Sequence, residues 1–285
     1  MRRRRTAIVS LLAVFALVGA ACGEDTPTGG GTPTTPPEAI VFETIEEGVL
    51  KVGSCLDYPP FESVEGGDEV GFDVDLTEAI AERLGLEVEW ITANFDTIFT
   101  AVAGGSEFDM VAAAVTATGD TGAERDEVVD FSDYYFNSQQ SLTVNTEETP
   151  ELTSTSDLSE GDVVGAQRGT TGAAWARENL EPQGVEIKTF QEAPAAFTDL
   201  EAGNIQGVIN DEQSSVEIIA ERPSLEIVER IDTNEKYAFA FSPENPELIE
   251  AVNQALVEVI ADGTYEELFT QYFPGFEIPE EYQAA

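Results

Sequence analysis

Twice along this chain short apolar runs alternate with amphipathic ones, and that alternation leaves few folds open. VLKVGS alternates apolar and small residues from Val49 and reads as a strand. LDYPPFE follows, and its two prolines force an extended turn that presents Tyr58 and Phe61 near the strand's end. GFDVDLTEAIAERLG then places Leu76, Ala79, Ile80 and Leu84 at helical spacing, with Asp73 and Asp75 early, favourable to the helix dipole, and Gly85 as the stop. LEVEWIT reads as a second strand, NFDTIFTAVAGG as a short helix and FDMVAAAV as a third, buried strand. The pattern returns as VVGAQ, TTGAAWARENL, VEIKTF, PAAFTDLEAG, GVIND, EQSSVEIIAERP and LEIVER. YAFAFS starts a return segment, and PELIEAVNQALVEVIADG and TYEELFTQYF are strongly amphipathic helices. This is an α/β chain with two strand–helix halves. It has no short repeat period, which excludes a solenoid.

The run from Val111 to Tyr135 carries the most specific chemistry. The buried strand ends in Thr116 and Thr118, followed by an acid-lined turn, GDTGA, and Arg125; VVDFSDYY then leads into another strand, SQQSLTVN. Polar groups at the carboxyl end of a strand are where open α/β sheets bind ligands. A guanidinium offers two parallel hydrogen bonds to a carboxylate, so a small carboxylate ligand suits Arg125. The plainer reading is that Arg125 neutralises Glu124, Asp126 and Glu127 on a solvated helix start.

VTAT, ER and VVDFSDYY together resemble the signature of the family 3 extracellular solute-binding proteins, the polar-amino-acid receptors of ABC importers. Three further segments match in the same order: VLKVGSCLDYPPFE with GFDVDLTEAIAERLG, VVGAQRGTTGAAWA, and QGVINDEQ. The resemblance runs from about Gly48 to Phe273, and four ordered motifs are far more specific than one. It departs from the family at GDTGA, where the turn before Arg125 is longer.

The resemblance implies a two-lobe, periplasmic-binding-protein-like (type II) fold with a ligand cleft between lobes and two crossover segments. Residues 45–135 with 238–285 would form one lobe and 140–232 the other, with hinges near 136–139 and 233–237. The ligand's carboxylate would meet Arg125, Thr116, Thr171 and Thr170, the last two placed where a strand passes into a helix whose free amides attract anions. Plain N-capping is the alternative for Thr170 and Thr171. The ammonium would meet Asp211 and Ala114; without the resemblance, Asp211 is one acid among 56 at a strand-to-helix turn where Asp commonly caps. Tyr58, Phe95, Cys55, Gln167 and Asn210 would form the side-chain pocket, while Phe61, Phe72 and Phe108 belong to the core. Relatives taking cationic amino acids often carry Asp where Cys55 stands, so a neutral polar side chain or a compact zwitterion such as an ectoine-like solute is favoured. Closure of both lobes on the ligand would be read by an ABC transporter permease. No cofactor or metal is implied, and a monomer is expected.

Charge and the leader limit the partners. The chain carries 56 acids against 13 bases, a formal charge of −43, and Arg2 to Arg5 account for four of the bases. Nucleic acid is excluded on electrostatic grounds. Lysine is nearly absent, and so strongly solvated an acidic surface fits adaptation to high salt. MRRRR and the apolar run from Ala7 to Ala21 fit a signal peptide over 1–21. Cys22 then resembles the lipidated first residue of a lipoprotein, although Gly19 stands where leucine or valine is usual; ordinary secretory cleavage is the alternative. Residues 22–44, rich in Gly, Pro and Thr to Pro37, would form a disordered tether of roughly 20 Å reach, holding the protein to the outer face of the cell membrane. With Cys22 acylated, Cys55 has no disulfide partner.

An enzyme on the same scaffold is the rival, since some relatives of this fold resemble cyclohexadienyl dehydratases. The chain has no histidine, which removes Ser–His–Asp, Cys–His and histidine–metal chemistry and leaves only carboxylate-driven reactions.

Overall fold

The computed structural model describes residues 40–284. The expected leader, Cys22 and residues 22–39 of the expected tether lie outside the described residues.

The first half opens with β1 (Val49–Ser54), followed by a three-stranded ribbon that periodicity missed: β2 (Asp57–Tyr58), β3 (Glu62–Glu65) and β4 (Asp68–Val70). Its strands are too short to show a period. Then come α1 (Phe72–Leu84), β5 (Glu87–Thr92), α2 (Phe95–Ala103), β6 (Met110–Val111), α3 (Gly119–Asp126) and β7 (Asp130–Phe131). FDMVAAAV was expected to be one strand, yet only Met110 and Val111 pair as one. Beyond them Ala114 takes a positive φ of 47°, which breaks the ladder before Thr116 bridges to Tyr237. The acid-lined turn is likewise a helix, since Gly119 to Asp126 form α3.

The second half runs β8 (Phe136–Asn145), β9 (Val163–Gln167), α4 (Thr171–Asn179), β10 (Glu186–Phe190), α5 (Ala193–Glu201), β11 (Gly207–Asp211), α6 (Glu212–Ile219) and β12 (Leu225–Tyr237). The chain then returns through β13 (Ala240–Phe241) to α7 (Pro246–Ala261) and α8 (Thr264–Tyr272). Two five-stranded sheets result, ordered β5-β1-β6-β13-β7 and β10-β9-β11-β8-β12. Each has a parallel part, β5-β1-β6 and β10-β9-β11, extended by antiparallel strands. The fold is a two-lobe α/β architecture.

The segments expected as hinges are strand backbone paired to each other: Phe136 opposes Tyr237, Asn137 opposes Lys236 and Ser138 opposes Glu235, with an irregularity between Ile231 and Glu235. An aromatic cluster packs around this crossing. Phe61, Phe72, Tyr135, Phe136, Tyr237, Phe239, Phe269 and Phe273 are all buried, and Tyr135 stacks on Phe239 with ring centroids 4.5 Å apart. Such pairs add about 0.5–1.5 kcal/mol each beyond their buried area. The Tyr265 hydroxyl donates to the Tyr135 carbonyl at 2.7 Å, tying α8 to the same place.

Phe61, Phe72 and Phe108 are buried, as their assignment to the core requires. Asp73 lies in the first turn of α1, where an acid favours the helix dipole as expected. It is also fully buried, accepting hydrogen bonds from Ala114 N at 2.8 Å and Tyr135 Oη at 2.7 Å, so it braces the strained segment after β6. Gly71 makes this possible, because a Cβ there would sit 2.2 Å from the Phe61 carbonyl oxygen. The ribbon can therefore lie directly against the start of α1. Among the described residues no helix is long and apolar enough to cross a membrane.

Candidate ligand-binding site

Parallel strands of both sheets deliver their carboxyl ends to one place, the position expected for a ligand in an open α/β sheet. β1 ends beside Cys55, the chain beyond β6 leads to Thr116, β9 ends at Gln167 and β11 at Asp211. Between them lies a small cavity of about 20 Å³, lined by Cys55, Tyr58, Glu62, Phe95, Ala113, Ala114, Thr116, Arg125, Gln167, Thr170, Thr171 and Asp211. The wider groove between α3 and α7, lined by Asp126, Asp133 and Asn253, is open to solvent and holds none of the expected ligand groups.

Arg125 lies in the last turn of α3 and is 6% exposed. Gly122 seats that helix: a Cβ there would be 2.3 Å from the Ala117 carbonyl carbon, so only glycine lets α3 lie against the strand it follows. The longer GDTGA segment thus brings the guanidinium into the cleft. Arg125 donates through Nη1 to the Thr116 carbonyl at 2.7 Å and through Nη2 to the Gly169 carbonyl, beyond β9, at 3.1 Å. It lies over the rings of Phe95 and Phe99, with Cζ 5.2 and 4.7 Å from their centroids. Burial lowers its pKa to about 10, opposed by the fields of Glu235 and Asp211, and it stays charged. The plainer reading is overturned, because this side chain is buried and forms no salt bridge with Glu124, Asp126 or Glu127.

Asp211 caps β11 from the other half of the chain. It accepts from Tyr58 Oη at 2.6 Å and from Gln140 Nε2, and burial, then the neighbouring Glu235, raises its pKa to about 7. Glu235 is buried and spends its oxygens on Thr116 Oγ1 at 2.6 Å, Gln140 Nε2 at 2.8 Å and Thr233 Oγ1 at 2.6 Å. Asp96 at the start of α2 meets Arg168 at 3.4 Å and Gln191 at 3.3 Å, a further bond across the cleft.

The expected residues divide by what their polar atoms already do. Thr171 Oγ1 is buried with no partner, whereas Thr170 Oγ1 donates to the Gln167 carbonyl at 2.8 Å and accepts from Ala173 N at 3.2 Å. Thr170 is thus an N-cap in the cavity wall, its hydroxyl committed to the backbone. The Thr116 hydroxyl is committed too, to Glu235. Asn210 was expected in the pocket but lies behind it: it accepts from Tyr58 Oη at 3.1 Å and donates to Ser215 Oγ at 3.3 Å, outside the lining. Gln167 lines the cavity and donates to the Gln191 carbonyl at 3.2 Å. Tyr58, Phe95, Ala114 and Cys55 line it directly, and Cys55 is a buried free thiol.

Glu62 was missed by sequence reasoning. It stands opposite Tyr58 across the β2–β3 pair, so the two side chains share a face. The signal was available in the two prolines of YPPFE, which fold the chain back on itself, but the adjoining core residue Phe61 concealed it.

The sequence profile described as bacterial extracellular solute-binding proteins, family 3, matches residues 50–275. A probable histidine-binding protein of Campylobacter jejuni is 31% identical over 225 residues, covering 78% of this chain and 84% of the relative. An ancestral arginine-binding protein solved with arginine superposes with a TM-score of 0.74 at 34% identity, covering 79% of this chain and 98% of that one. An ancestral amino acid-binding protein described as a precursor of cyclohexadienyl dehydratase superposes with a TM-score of 0.72 at 33% identity, covering 79% and 96%. With the two sheets facing one cavity and the profile spanning nearly all the described residues, the chain belongs to the bacterial extracellular solute-binding proteins, family 3.

Proposed function

We propose that this chain captures one free amino acid by closure of its two lobes and presents it to the permease of an ABC importer. The observation that carries the reading is the pairing of opposite charges on a single cavity: Arg125 from the first half of the chain and Asp211 from the second. The ligand's carboxylate would take the guanidinium, the unpartnered Thr171 hydroxyl and the first amides of α4, with Thr116 alongside. Its ammonium would take Asp211, whose charge it restores, together with the Ala114 backbone. Each half alone supplies part of this set, so a ligand that bonds both favours the closed state. Relatives named for binding histidine and arginine support a free amino acid as the ligand. Cys55 argued for a neutral polar side chain, and an ectoine-like solute would use the same two charges.

A lipid on Cys22 would hold the monomer at the outer membrane face, within reach of its permease. The dehydratase reading has one observation in its favour, the buried carboxyl of Glu62 in the cavity wall. Turnover of prephenate or arogenate by purified protein would carry it. Isothermal titration of the mature protein with the free amino acids and ectoine tests the main reading. Saturable one-to-one binding of an amino acid is expected, and binding of none would refute it.

A further inference from the structure

We infer that the C-terminal segment beyond the family profile is a strap across the hinge, and that Glu281 is a positioning residue through which it limits how far the two halves open. The inference rests on the reading above that the halves close on a ligand, and adds what restrains their opening. The profile ends at residue 275. After it Phe276 and Ile278 pack against the aromatic core, and Glu280–Tyr282 form a single 3₁₀ turn, held by Gln283 Nε2, which donates to the Ile278 carbonyl at 2.9 Å. Tyr282 is 4% exposed, with its ring centroid 5.4 Å from that of Tyr265, whose hydroxyl holds the Tyr135 carbonyl. The segment is thus fastened to α8 and, through it, to the residue before the first crossing strand.

From that anchorage it reaches both crossing strands at one rung, where Asn137 of β8 and Lys236 of β12 lie opposite each other. Glu281 Oε1 accepts from Asn137 Nδ2 at 2.9 Å and from Lys236 Nζ at 3.2 Å, and Tyr282 Oη donates to Asn137 Oδ1 at 3.3 Å. Both ends of the Asn137 amide are therefore held by the strap. Lys236 is one of only three lysines in a chain with 56 acids, so a lysine on the crossing strand where the strap's acid arrives is not the background of this surface. A single exposed ion pair contributes little, but here three polar contacts and a buried ring act on the same rung. Opening turns one half on the other by changing backbone angles along the crossing strands. A rung pinned to the first half takes no part in that change. The bend is then confined to the stretch beyond it, where β12 is irregular between Ile231 and Glu235 and Asn234 has a φ of 48°. A shorter bending stretch permits a smaller opening, and a cleft that opens less lets its ligand go more slowly.

The test compares the unaltered mature protein with Glu281→Ala. Small-angle X-ray scattering would give the radius of gyration without ligand, and stopped-flow tryptophan fluorescence would give association and release rates for L-arginine, L-histidine and L-glutamine. The radius of the variant should rise. Release of each amino acid that binds should quicken by about three-fold or more and by the same factor for all, with association within about two-fold, because the strap touches the hinge and not the ligand. An unchanged radius or an unchanged release rate overturns the inference, even where the variant unfolds in less urea, since a merely structural role would lower stability alone. A change in release that differs from one amino acid to another also overturns it. If the unaltered protein binds no free amino acid, the amino-acid reading falls and the scattering comparison alone decides for or against the strap.

Discussion

Replacing Asp73 by Asn should remove a defined part of the protein's pH dependence. Both hydrogen bonds to Asp73 fall on Oδ2, from Ala114 N and Tyr135 Oη, while Oδ1 has no partner. Burial is the largest influence on its pKa and raises it from 3.8 to about 7, against the two hydrogen bonds that lower it. The unfolded chain therefore loses this proton first. Folding keeps the associated stability below the unfolded pKa and loses it as pH rises through the folded one. Between about pH 4 and pH 7 the interval of roughly three units, at about 1.36 kcal/mol each, corresponds to about 4 kcal/mol. An asparagine can place its carbonyl where Oδ2 stands, keeping both bonds, and it cannot ionise. Its amide then meets the place where Oδ1 had no partner, a pH-independent cost of about 1–3 kcal/mol. Urea unfolding of both proteins across this range, followed by tryptophan fluorescence, would give the difference in stability at each pH. The variant should gain about 4 kcal/mol on the unaltered chain from the acid to the neutral end. Curves that run parallel to within about 1 kcal/mol would refute the reasoning, since they would mean Asp73 is ionised in the fold at little cost.

Other outcomes follow from the same geometry. Arg125→Ala should weaken ligand binding by about a hundred-fold or more in calorimetry, as expected for charge-assisted bonds of about 1.5–3 kcal/mol each; unchanged affinity would remove Arg125 from the site. Gly122→Ala should destabilise the fold by about 1–3 kcal/mol in urea melts and lower affinity as well, because the added methyl pushes α3 and its arginine off the Ala117 backbone. Ligand at a hundred times its dissociation constant should stabilise the protein by about 2.7 kcal/mol in chemical unfolding. Molar sodium chloride should raise the melting temperature, since the −43 formal charge repels itself less when screened; no rise would reject adaptation to high salt.

Much of the fold was legible because strand and helix periods differ and each lobe repeats the alternation. The amphipathic stripe of GFDVDLTEAIAERLG and the cluster VVGAQRGTT needed no tertiary information to be read as a helix and as a strand running into one. Arg125 and Thr171 stood out in the sequence as polar groups near strand ends, whereas Asp211 was singled out only by the resemblance to the family. The ribbon β2–β4 escaped notice, its strands of two to four residues being too brief for periodicity. GDTGA read as a turn because its glycines weaken helix propensity, and only packing against Ala117 shows why Gly122 must be there.

Local sequence determined which segments alternate and which side chains can hold charge. Tertiary structure decided which of those charges are satisfied. Thr170 and Thr116 spend their hydroxyls within the protein, Asn210 falls behind the wall, and Asp73 and Glu62, two acids among 56, become buried. Burial and hydrogen-bond partnership come from segments far apart in the chain, as when Tyr58 meets Asp211 and Arg125 reaches Gly169. The energy of a charge depends on the groups and solvent around it, and those are set only when both halves of the chain have come together.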